Sequence, residues 1–131
     1  MALLSKDAIL AANDRPTEDV EVPEWGGTVR VRGLSGAERD AFESSLLGPD
    51  GKPSPTRLAN FRARLLARTL VDEAGNRLFS DNDIKALGEK SGEVLSRLFD
   101  VAQRLSGMTR KDVEAYVGNS DGGQNGGSTS A

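Results

Sequence analysis

One stretch, residues 56–71 (TRLANFRARLLARTLV), carries the broadest set of apolar residues at helical spacing in this chain and contains neither glycine nor proline. Its large apolar positions recur three or four residues apart and are Leu58, Phe61, Leu65, Leu66 and Leu70. At about 100° per residue, these positions cover well over half of the helix circumference. The pattern therefore predicts a long helix around which the rest of the chain folds, covered by other elements or by a partner chain.

Strict alternation of valine with polar residues predicts two strands nearer the N-terminus. Residues 19–22 (DVEV) and 28–32 (TVRVR) alternate, and the PEWGG segment between them contains glycines that can adopt positive φ. Two strands alone are marginally stable in water, so we expect the valine face of this hairpin, near residues 18–33, to pack on helices. Trp25 in the turn is interpreted as a residue that covers the end of the core; the alternative is an anchor for a partner.

Helix-start signals mark the remaining elements. Ser35 and Glu38 have the spacing of a capping box, in which each side chain bonds a backbone N–H of the helix start. The predicted helices begin at Ser5, Ser35, Thr56, Ser80, Ser91 and Thr109. Together these signals predict a mainly α domain of five to six helices with a small N-terminal β-hairpin (α+β), over residues 1–117. Residues 118–131 hold no large apolar side chain and are expected to form a flexible tail.

Candidate chemistry is limited by composition. Cys and His are both absent from the 131 residues. Their absence excludes disulfides, thiolate metal sites and the most common general base near neutral pH. The sequence has neither a phosphate-binding glycine loop nor the ligand spacing of an EF-hand. We therefore expect no enzymatic activity, no metal and no cofactor.

Charge and hydropathy argue against nucleic acid and membrane as binding partners. The formal net charge is −3, whereas general nucleic-acid binders usually carry a basic excess. No apolar run approaches the roughly 20 residues that a membrane-spanning helix needs, and the N-terminus lacks the pattern of a signal peptide. We expect a soluble intracellular protein that binds neither membrane nor nucleic acid.

Arginines occupy the narrow polar side of the predicted long helix, at Arg57, Arg64 and Arg68. We interpret them as a solvated face balanced by nearby acids. The acids proposed for this balance are Glu38, Asp40 and Glu43. The alternative is contact with an acidic partner, a polyanion included, as in a regulatory nucleic-acid-binding module.

The apolar helix faces exceed what so small a chain is expected to enclose. Residues 94–105 form a second stripe, whose spacing suits either a core or a partner helix. Self-association, or binding of a client polypeptide through a helical groove, would cover the excess. The candidate partner-binding residues are Leu58, Phe61, Leu65, Leu66, Leu70, Val94, Leu98, Phe99 and Leu105.

Two long segments resemble the tail assembly chaperones of long, non-contractile-tailed bacteriophages. The first is LLSKDAILAANDRPTEDVEVPEWGGTVRVRGLSGAERDAFE and the second is RARLLARTLVDEAGNRLFSDNDIKALGEKSGEVLSRLFDVAQRLSGMTRKDVE. The hairpin that runs into LSGAER, and the pairing of DEAGNRLF with DNDIKALG, carry the resemblance. They contain no catalytic motif.

The resemblance implies a small helical chaperone that acts in the host bacterial cytoplasm and is left out of the mature virion. It would coat the tape measure protein and keep it soluble while tail tube subunits polymerise. A longer form, made by translational frameshift, would recruit the tail tube protein. The alternative from another class is a structural tail-completion or connector protein of the virion.

Overall fold

The computed structural model describes residues 2–118. Its three strands are β1 (Thr17–Val22), β2 (Gly27–Arg32) and β3 (Leu70–Val71). Its α-helices are α1 (Lys6–Ala11), α2 (Gly36–Ser45), α3 (Pro55–Leu58), α4 (Phe61–Thr69), α5 (Ile84–Gly88), α6 (Gly92–Leu105) and α7 (Arg110–Gly118). The mainly α architecture with a small N-terminal sheet confirms the predicted fold class. The predicted tail lies outside the described residues, apart from Gly118 at the end of α7.

The predicted hairpin is formed by β1 and β2, which pair antiparallel with Val20 opposite Val29. A one-turn 3₁₀ helix, Pro23–Trp25, joins the strands, and Gly26 follows it with φ of +79°. This left-handed conformation favours glycine because no Cβ crowds the backbone. The hairpin predicted from the alternating valines and the glycines of the turn is therefore confirmed.

The sheet has the order β1-β2-β3, because the short strand β3 pairs antiparallel with β2 and places Leu70 opposite Val31. The strand β1 forms one edge of the sheet and carries Glu18 and Asp19. Asp19 pairs with Arg30 of β2 at 2.7 Å, and Glu18 pairs with Arg104 of α6 at 2.8 Å.

The prediction of one continuous helix over residues 56–71 is wrong. Asn60 adopts φ of +59° and ψ of +34°, which separates α3 from α4. Asn is one of the few non-glycine residues that tolerate this left-handed conformation, because its short polar side chain can bond locally. After Thr69 the backbone becomes extended at Leu70, with φ of −82° and ψ of +123°, and enters β3. Pairing with β2 therefore overrides the helical pattern at its C-terminal end.

The core lies between the sheet and the two central helices, α4 and α6. The inward valines Val22 and Val31 are fully buried, and Val20 and Val29 pack at its margin. Trp25 is half-buried against the same core, as the structural interpretation predicts.

A close backbone approach joins the end of β2 to the end of α6. A Cβ atom at Gly33 would lie 2.3 Å from the carbonyl oxygen of Leu105, so this crossing requires glycine. Across residues 2–118, no helix is both long and apolar enough to span a membrane.

Candidate functional site

An apolar groove of about 850 Å³ opens on the face where α3, α4, α6 and α7 meet. Most of its walls are aliphatic and aromatic side chains. These apolar residues are Leu58, Phe61, Leu95, Phe99, Val113 and Val117. Leu58, Phe61 and Val113 are half-buried, and 40% of the Val117 side chain is exposed. The groove therefore presents apolar surface to solvent in the folded chain.

A series of aromatic contacts supports this groove from below. The Phe61 ring lies 5.6 Å from the Phe99 ring and 5.7 Å from the Phe42 ring, centroid to centroid. Phe42, which is fully buried, also meets Tyr116 edge-on at 6.4 Å. These separations are in the range of favourable aromatic pairs. The floor is therefore anchored to helices α2, α4, α6 and α7 together.

Charged side chains surround the apolar surface. Arg62, Lys90 and Glu114 line the groove, and the Arg62 guanidinium carbon lies 5.8 Å from the centre of the Phe99 ring. Within residues 2–118, none of these three side chains forms an ion pair. The rim thus offers two positive charges and one negative charge to a ligand.

Helix α7 forms one wall and is attached to α2 by polar contacts in addition to the ring contact between Phe42 and Tyr116. The Tyr116 hydroxyl donates to the Glu43 carboxylate, while Arg39 lies 3.5 Å from Asp112 and 3.4 Å from Glu43. Burial raises the pKa of the Tyr116 phenol, and the hydrogen bond to Glu43 acts in the same direction.

The N-terminus of α7 is closed by a reciprocal cap. The Thr109 N–H donates to Asp112 Oδ2 at 2.9 Å, and the Asp112 N–H donates to Thr109 Oγ1 at 3.0 Å. The bond from the Thr109 backbone is the main reason that the pKa of Asp112 is lowered.

One end of the groove is shaped by the break between α3 and α4. A Cβ atom at Gly88 would lie 2.3 Å from Asn60 Oδ1, so the asparagine side chain rests directly on the glycine at the end of α5. The break leaves Leu58 on α3 and Phe61 on α4, and both side chains line the groove.

A family model described as phage tail assembly chaperone matches residues 5–116. The chain belongs to this family. The role of the family is to assist assembly, which is not an enzymatic role.

Among solved structures, one titled as the structure of the bacteriophage HK97 tail assembly chaperone is similar to this chaperone, with a TM-score of 0.54. The two share 24% sequence identity over 76% of this chain and 90% of that chain. At this identity the likeness supports the fold. A search of curated proteins gives no significant match.

The nine predicted partner-binding residues of the chaperone do not all lie on one surface, because some line the groove and others lie in the core. Leu58, Phe61 and Phe99 line the groove, and Leu105 is half-buried at the far end of α6, outside that lining. Each of the other five is at most 1% exposed; they are Leu65, Leu66, Leu70, Val94 and Leu98. A partner reaches those five only if the surrounding helices separate.

Three large apolar residues of the groove lining were not among the sequence-based candidates: Leu95, Val113 and Val117. Leu95 belongs to the α6 stripe and is 6% exposed, and the other two repeat at four-residue spacing along α7. That spacing marks an apolar face, but sequence alone does not state which neighbouring helix lies opposite.

The arginine face of α4 is balanced by an acid other than those expected. Arg68 lies 3.5 Å from Asp81, whereas Glu38 pairs with Arg15 at 2.5 Å. Glu43 pairs with Arg39, so the predicted balance by Glu38 and Glu43 is wrong. Burial is the main cause that lowers the pKa of Arg64, and the charge of Arg57 contributes.

Proposed function

We propose that this chaperone binds an amphipathic helix of the tape measure protein in the groove and keeps that protein soluble during tail tube assembly. The observation that carries the proposal is the combination of an open apolar groove with an aromatic floor and a charged rim. Helical ligands are commonly bound in this way, with apolar residues of one face seated in the groove. A holdase of this kind needs no reactive group.

The remaining partners follow from the same proposal. A longer form of the chain, extended by frameshift, recruits the tail tube protein to the coated tape measure. The complex forms in the host bacterial cytoplasm, where several copies of the chaperone cover one long client. The negative net charge keeps such an assembly dispersed by mutual repulsion.

Co-expression of the chaperone with the tape measure protein tests the groove. Leu58→Asp places a charge on the half-buried wall, so we expect at least a tenfold loss of soluble, co-purifying tape measure protein. Variants at Leu65 or Leu98 are less informative, because both side chains are fully buried and an aspartate there unfolds the chain.

Leu78→Asp is the matched control, because Leu78 is 52% exposed and lies outside the groove. Circular dichroism must show that both variants retain the wild-type helical signal. Equal recovery of tape measure protein with a folded Leu58→Asp variant would contradict the proposal.

A further inference from the structure

The N-terminal segment, residues 2–12, carries large apolar side chains that the rest of the chain does not cover. Leu3 is 99% exposed, Leu4 72%, Ile9 57% and Leu10 73%. None of the residues of α1 is buried. We call residues 2–12 the arm; it holds four of the seven most exposed large apolar residues described.

The arm is also helical without local support. Helix α1 has only six residues, and its cap is a single bond from the Ala8 N–H to Ser5 Oγ at 3.1 Å. An isolated helix shorter than about 12–15 residues is marginal in water, and helices gain most of their stability from a packed apolar face. A covering surface is therefore expected for this helix.

The charges of the arm and of the groove are complementary. The charged residues in or next to the arm that are free of ion pairs within the described chain are Lys6, Asp7 and Asp14. They give one positive and two negative charges. The groove rim has the reverse balance, with Arg62 and Lys90 positive and Glu114 negative.

We infer that the arm of one chaperone copy docks into the groove of a second copy. Ile9 and Leu10 then cover the aromatic floor around Phe61 and Phe99. The contact joins two different surfaces, so it is heterologous, and an assembly that does not close keeps one free arm at one end and one free groove at the other. Asp7 of the arm and the adjacent Asp14 lie toward Arg62 and Lys90 of the second copy.

The consequence for client binding rests on the proposed function. If the tape measure helix uses the same groove, self-association and client binding compete for it. Empty grooves are then covered by neighbouring arms until a client displaces them. The docking of the arm itself does not depend on any client.

Analytical ultracentrifugation of the full chain without client tests this docking by complementation. A Leu4→Asp/Leu10→Asp variant lacks a usable arm, and a Leu58→Asp variant lacks a usable groove. We expect the wild type to associate, each variant alone to be monomeric, and the mixture to form a 1:1 heterodimer. Leu78→Asp serves as the control that associates like the wild type.

A charge exchange gives a second, independent readout. Asp7→Lys/Asp14→Lys and Arg62→Glu/Lys90→Glu should each weaken self-association at least tenfold, and mixing the two variants should restore association. A monomeric wild type, an arm variant that still associates, or a mixture that stays monomeric would overturn the inference. Because these assays contain no tape measure protein, their failure is separate from failure of the proposed function.

Discussion

Asn60 shows how one residue changes the shape of the functional surface. Helix α3 ends at Leu58 before an extended Ala59, Asn60 then precedes α4 in a left-handed conformation, and its side chain rests on Gly88. Asn has only moderate helix propensity, but that alone does not end a helix. The extended backbone of Ala59 and the left-handed backbone of Asn60 form the break in the folded chain, and the apolar spacing in the sequence gives no sign of either.

The strain at Asn60 leads to a stability prediction. We expect Asn60→Ala to lower the free energy of unfolding by about 1 kcal/mol, because alanine is unfavourable in the left-handed region. We expect Asn60→Gly to stay within about 0.5 kcal/mol of the wild type, because glycine adopts this conformation without steric cost. Urea denaturation followed by circular dichroism measures both.

A fully stable Asn60→Ala variant would mean that α3 and α4 can join into one helix. The control at a neighbouring residue is Ala59, which is exposed and has φ of −59° and ψ of +141°, outside the left-handed region. Ala59→Gly at this neighbouring site should show no gain from glycine.

At the scale of elements, local signals predict much of the secondary structure. The capping box of Ser35 and Glu38 is present, and Ser91 accepts from the Val94 N–H at the start of α6. Strand β3 is not predictable in this way, because Leu70 and Val71 complete a helical pattern in sequence and pair with β2 only in the folded chain. A local sequence pattern indicates which faces of an element are apolar, but it does not indicate which other element packs on those faces.

The same limit explains the candidate site. Leu58, Phe61 and Phe99 belong to the groove, whereas Leu65 and Leu98 have the same periodicity but lie in the core. Periodicity cannot separate the two sets, because the difference arises from the placement of α7 and the break at Asn60.

Helix α7 should loosen in acid. The pKa of Asp112 is lowered in the folded chain, mainly by the hydrogen bond from the Thr109 backbone. A group whose folded pKa lies below its unfolded value contributes stability above the unfolded pKa, near 3.8, and loses that contribution as the pH falls through the folded value. Hydrogen exchange of the α7 amides should therefore be faster at pH 3 than at pH 6, after correction for intrinsic rates.

Asp112→Asn is the control for this pH dependence, because it removes the titrating carboxylate and keeps a hydrogen-bond acceptor. We expect its α7 protection to be lower at pH 6 and to change less between the two pH values. Equal protection of the wild-type α7 at both pH values would show that the cap does not hold this helix.

At the scale of the whole molecule, an assembly chaperone and a virion component differ in whether the mature particle contains the chain. We expect mass spectrometry of purified particles to find none of this chain, while the infected-cell lysate contains it together with the tape measure protein. A connector or tail-completion protein would instead be present in particles at a fixed copy number. Detection at a constant ratio to the tail tube protein would favour that alternative.

The β1 edge of the sheet has a consequence for the proposed function, in which many copies lie side by side along one tape measure protein. An open strand is a template for hydrogen bonding with the same strand of a neighbour, and charged residues are a common means of preventing it. On β1, Asp19 and Glu18 are paired with Arg30 and Arg104, whereas Glu21 is exposed and forms no ion pair within residues 2–118. Lateral antiparallel pairing of two β1 strands around Glu21 would therefore bring two like charges together. In the proposed coat on the tape measure protein, this repulsion opposes edge-to-edge growth of neighbouring copies into a fibril.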